Sequence, residues 1–139
     1  MAENLKRLPD EKLAKMSPEE QYVQGYLRDT PKIWYNPRTD GSFLFKGTSM
    51  NMDMMNYVWG TLFRDIDITR GLENFDRPVF LSLGRYDFLV GPPSLWDPIK
   101  PKFKNLTIKI FEKSGHISSC EEPAQYDAAL VRWLDENKN

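Results

Sequence analysis

Histidine and cysteine occur once each in these 139 residues, as His116 and Cys120. One cysteine cannot close an internal disulfide, and one histidine with one cysteine is too little for a structural zinc set. No apolar run approaches the roughly 18 residues that would span a bilayer. The first residues, MAENLKRLPDEKLAK, are polar and lack the apolar core of a signal peptide. Charge of one sign is also missing: 19 Lys and Arg against 20 Asp and Glu leave a net charge of −1. Without a basic excess there is little to neutralise a phosphate backbone, so nucleic acid is not an expected partner. The expectation is a cytoplasmic, reduced chain with no metal, no cofactor and no membrane partner.

What is present is globular. Apolar residues make up 40% and charged residues 28%, at a length suited to one ordinary domain. No internal repeat or low-complexity stretch breaks it. The character of the sequence does change near residue 77, which divides the chain into a mostly helical segment at 1–74 and an α/β segment at 75–139.

The earlier segment carries a clear helix start at Ser17-Pro18-Glu19-Glu20: a serine cap, proline in the first turn, and glutamate three residues on. The helix that follows aligns Tyr22, Val23, Tyr26 and Leu27, and must stop before Pro31. Turn residues fill YNPRTDGS. SFLFK reads as a short strand or an extended connection, and NMDMMNYVWGTLF as a helix. Trp34, Tyr35, Trp59 and Met50, Met52, Met54 and Met55 form either the lining of an apolar substrate pocket or the segment's own small core.

Beyond residue 77 the order becomes strand, loop, helix, strand, loop, helix, a small βαβα unit. PVFLSL (78–83) is a nearly unbroken apolar run, as in a parallel strand buried on both faces. LTIKIFE (106–112) is rich in β-branched residues and alternates. Four prolines lie between them, in GPPSLWDPIKPKFKN, and permit only short or broken helix there. From Glu122-Pro123 onward, Tyr126, Leu130, Trp133 and Leu134 recur at helical spacing.

Reactive residues in open α/β sheets gather on loops past the carboxyl ends of strands. Asp87 and His116 each lie four residues past one of the two apolar runs, 29 residues apart. Matched offsets on parallel neighbours would bring the two side chains together. A carboxylate that accepts from one imidazole nitrogen fixes the tautomer and leaves the other nitrogen as a base. Taken singly, the aspartate reads as turn chemistry and the histidine as an ordinary hydrogen-bonded residue. The pair and its spacing favour catalysis.

Residues 75–134, from FDRPVFLSLGRYD to SGHISSCEEPAQYDAALVRWL, resemble the C-terminal part of an α/β-hydrolase. In that family a strand opening on proline leads to G-x-x-D, which carries the triad acid. About thirty residues later S-G-H carries the triad base, followed by E-x-P and a closing helix. Gly84, Asp87, Ser114, Gly115, His116, Glu122 and Pro123 match. NYVWGTLFRDIDITRGLENFDRPV is similar to the return from cap to sheet in the proline iminopeptidase-like branch. Aminopeptidases of that branch tend to carry an acid beside the triad Asp, where this chain has Phe88; ester, amide or other acyl substrates stay open.

The resemblance implies a serine in a G-x-S-x-G elbow upstream of the acid. Only GTSMN, around Ser49, comes near. Against Ser49 as the nucleophile stand Asn51, where the elbow wants a small residue, and the mere 38 residues to Asp87. The upstream strands that carry the oxyanion loop are also missing. The plainer reading of Ser49 is a cap for the next helix. Cys120 reads as passive. The expectation is therefore a truncated α/β-hydrolase, the later part of a cap plus the last two strands. It would supply Asp and His toward a small-molecule or peptide substrate, with the serine and oxyanion hole coming from elsewhere. The alternative is an inactive remnant that binds a partner. An unpaired strand at 78–83 would seek one, by self-association or by joining a complementary N-terminal hydrolase fragment.

Overall fold

The computed structural model of the chain describes residues 9–67 and 69–138. The start of the polar N-terminal stretch, residues 1–8, lies outside them. Two compact units are present. One takes in the described residues through Thr30 together with Arg38–Asp67; the other takes in Pro31–Pro37 and the described residues after Asp67.

The first unit is helical. Helix α1 (Pro18–Arg28) begins on a complete capping box: Ser17 Oγ accepts from the Glu20 N–H at 3.2 Å, and Glu20 Oε2 accepts from the Ser17 N–H at 2.7 Å. Two of the orphan donors at the helix start are thereby satisfied. SFLFK is not extended: Gly41–Phe45 is a 3₁₀ helix. Asp40 decides this locally by accepting the Ser42 N–H at 2.9 Å, which turns the chain as the apolar residues begin. Phe45 then sits edge-on to Tyr26 with ring centres 5.0 Å apart. Helix α2 (Met52–Tyr57) continues through a π-helical turn, Val58–Leu62, into Phe63–Asp65. Its cap is Asn51, whose Oδ1 accepts from Met54 N–H at 3.0 Å, and not Ser49. Met54 and Trp59 are exposed, so the aromatic and methionine residues do not close into one small core.

The second unit is α/β. Strands β1 (Val79–Gly84) and β2 (Leu106–Phe111) pair in parallel, in a constant register from Val79 opposite Leu106 to Gly84 opposite Phe111. The connection between them holds only two short 3₁₀ helices, Pro93–Trp96 and Lys100–Lys102, as its prolines require. Helix α3 (Pro123–Glu136) packs on the face that carries Phe80 and Phe111. Trp133 lies against Phe80 at 5.7 Å, and Tyr126 against fully buried Phe111 at 5.6 Å. β1 is half-buried up to Leu83 rather than buried on both faces. The described residues pair it with β2 alone, so its other edge bonds to no strand. Among the described residues no helix is long and apolar enough to cross a membrane.

Candidate active site

The site is built where β1 and β2 end. Past Gly84 the backbone stays bonded to the loop after β2: Arg85 N–H donates to Phe111 O and Tyr86 N–H to Ser114 O, both at 2.9 Å. This ladder carries the Asp87 loop alongside the His116 loop. Asp87 Oδ2 accepts from His116 Nδ1 at 2.8 Å. Its other oxygen, Oδ1, accepts the N–H groups of Leu89 at 3.0 Å and Val90 at 3.1 Å. The carboxylate is thus oriented from both ends, with a side chain only 10% exposed against 38% for His116. A carboxylate on Nδ1 holds the proton there and leaves Nε2 as the basic nitrogen.

The histidine loop is held by two adjacent carboxylates. Glu122 Oε2 accepts from Ser114 Oγ at 2.7 Å and from Lys113 N–H at 2.8 Å, with Ser114 and Glu122 both buried. Glu121 Oε2 accepts from Gly115 N–H at 2.6 Å, while its Oε1 accepts from Tyr35 N–H at 2.7 Å. Burial pushes the Glu121 carboxyl above its ordinary range; the N–H groups of Gly115 and Tyr35 pull the other way, and Glu122 beside it adds to the rise. Farther out, Arg85 grips Glu112 in a two-pronged, exposed ion pair that raises the arginine and lowers the glutamate.

Segment Pro31–Pro37 threads through this arrangement. Ile33 O accepts from His116 N–H at 2.6 Å, and Lys32 O from Phe88 N–H at 3.0 Å, so one short strap touches both loops through its backbone. Ile33 and Trp34 are buried. The approach is close enough to require glycine. A Cβ on Gly115 would lie 2.2 Å from Ile33 O, and one on Gly84 would lie 1.7 Å from Gly115 O. Neither glycine is among those with positive φ, so contact distance is the reason.

Of the sequence candidates, Asp87 and His116 are brought together. Ser49 belongs to the other unit, where it is exposed. It follows a 3₁₀ helix and Gly47, not a strand, and no described non-glycine residue has positive φ. Cys120 is exposed on the short helix Ser118–Glu121. The reading of the sequence credited Glu122 but passed over Glu121, although the E-x-P step spells Glu121-Glu122-Pro123. It also passed over the strap, whose contacts run through backbone carbonyls and leave no mark on residue type.

Over 119 residues the chain is 38% identical to the AB hydrolase superfamily protein YclE of Bacillus subtilis (strain 168), covering 86% of this chain and 42% of that protein. Over most of its own length the chain is thus similar to part of an α/β-hydrolase superfamily protein. No protein-family model matches it. Solved structures agree on the fold. An alpha/beta fold family hydrolase from Bacillus anthracis str. Sterne superposes with TM-score 0.63 at 19% identity, over 89% of this chain and 43% of that one. VinJ superposes with TM-score 0.59 at 14% identity, over 93% and 52%. The chain thus spans less than half the length of the curated relative it matches and carries a partial α/β-hydrolase fold.

Proposed function

We propose that Asp87 and His116 are the orienting acid and the general base of a serine-type acyl hydrolase, with the nucleophile and the oxyanion donors carried outside these 139 residues. The observation that supports this most is the 2.8 Å bond from His116 Nδ1 to a buried carboxylate whose second oxygen is itself held by two backbone N–H groups. In this reading Nε2 takes the serine proton as the hydroxyl attacks the substrate carbonyl. Asp87 stabilises the imidazolium, which then gives the proton to the departing alcohol or amine. Ser49 is not assigned the attacking role.

The substrate class is an ester, amide or peptide bond. Phe88, 63% exposed, stands where the iminopeptidase-like branch tends to place an acid for a free amino group. With no carboxylate there, an uncharged acyl substrate fits better than an amino-terminal peptide. The unpaired edge of β1 supports a partner segment, whether a complementary hydrolase segment bearing the nucleophile or a second copy of the chain. A cytoplasmic location suits the single cysteine.

The test is ester hydrolysis by the chain assembled with a nucleophile-bearing N-terminal hydrolase segment. Asp87→Asn should lower kcat about 10⁴-fold, as the wrong tautomer does in serine triads, and His116→Ala should abolish the base. Equal rates for wild type and both variants would rule the pair out. Failure of the assembled protein to turn over at all would favour the binding remnant.

A further inference from the structure

We infer that Glu121 is a positioning residue for His116, joining the imidazole's loop to the strap at Pro31–Pro37. The inference rests on the acid–base reading of Asp87 and His116 given above.

The two oxygens of Glu121 are divided between segments far apart in the chain, Oε2 on Gly115 N–H and Oε1 on Tyr35 N–H. Next to each contact the backbones meet directly, with His116 N–H on Ile33 O at 2.6 Å. The result is a closed ring: carboxylate, Gly115, His116, Ile33, Tyr35, and back to the carboxylate. A single hydrogen bond lets a loop pivot; two on either side of one residue do not. The glycine contact removes the remaining slack, since Ile33 O lies where a Gly115 Cβ would be. Because Lys32 O also takes Phe88 N–H, the same strap reaches the residue beside the acid. The distance between Asp87 and His116 is then set by a backbone frame that Glu121 closes.

Fold stability alone does not account for this side chain. Glu121 ends a one-turn helix, the end where a negative charge is least favoured, and it stands half-buried beside a second glutamate. A carboxylate is costly there unless both oxygens are used, and both are. Glu122 serves a different part of the loop, holding Lys113 and Ser114 upstream of the histidine.

His116 is the only histidine, so its imidazole signals need no assignment. The probe is the far-downfield Nδ1 proton resonance of an imidazole bonded to a carboxylate, recorded with amide hydrogen exchange on the full chain. Wild type and Glu112→Gln, which alters an exposed pair away from the ring, should both show the resonance. Glu121→Ala should broaden it away and speed exchange at Gly115 and Tyr35 by about tenfold or more, the loss of one charge-assisted hydrogen bond at each. Glu121→Gln keeps one acceptor oxygen, so the resonance should persist in weakened form, with faster exchange at one of the two amides. A sharp resonance with unchanged exchange in the Glu121 variants overturns the inference. If Glu121→Ala does not fold, Glu121→Gln decides by the same criterion. Asp87→Asn separates the two readings: a resonance that survives it removes the acid–base pair, whereas one that survives only the Glu121 changes removes the positioning role.

Discussion

A Cβ added to Gly84 would lie 1.7 Å from the carbonyl oxygen of Gly115. The last residue of the strand before Asp87 is therefore pressed against the residue before His116, and the two loops share one backbone contact. Gly84→Ala cannot be absorbed by turning a side chain, because the atoms in the way belong to the main chain. The expected cost is about 3 kcal/mol, the upper end of ordinary overpacking. Urea unfolding measures it; a midpoint close to wild type would show that the loops can separate.

Glu122 is buried and accepts from both Ser114 Oγ and Lys113 N–H. Glu122→Ala strands both donors and should cost about 2–3 kcal/mol. Ser114→Ala removes only one donor and should cost about 1 kcal/mol, since Lys113 N–H still meets the carboxylate. The double variant should cost less than the two single costs added, because they share one interaction. Chemical denaturation of the four proteins checks this.

The raised carboxyl of Glu121 gives stability a definite pH dependence. Desolvation lifts it above its ordinary value of 4.5, so the fold favours its protonated form. That contribution is whole below the unfolded value and is lost as pH climbs through the folded one. Glu121→Gln cannot ionise and escapes the loss. Its unfolding midpoint should therefore rise relative to wild type as pH goes from about 4 to about 7. A difference that stays flat across this range would contradict the buried carboxylate.

In the helical unit, the capping box on α1 makes Ser17 the residue to change. Ser17→Ala should lower stability by about 1 kcal/mol and reduce helical circular dichroism. Cys120, exposed and outside every contact at the pair, should tolerate Cys120→Ser with no change in the unfolding midpoint.

Much of this was legible in the residues. Both strands stand out as apolar runs, and parallel pairing at constant register turns the Asp87–His116 spacing into contact. Ser17 to Glu20 announced α1, and the recurrence of Tyr126, Leu130 and Trp133 announced α3. Other parts were hidden for physical reasons. Five residues such as SFLFK cannot show a period, so the Asp40 cap, and not the apolar run, sets their conformation. Ser49 and Asn51 are both good caps by composition; only the backbone reveals which one meets the helix. The strap works through the carbonyls of Lys32 and Ile33, which any residue type would supply.

The central claim, that this chain holds the acid and base while the nucleophile lies outside it, is tested most directly by hydrolysis of p-nitrophenyl acetate by the purified chain, compared with Ser49→Ala and His116→Ala. The account predicts that Ser49→Ala matches wild type and that wild type is no faster than His116→Ala. Turnover in wild type that is lost in both variants would make Ser49 the nucleophile and contradict it.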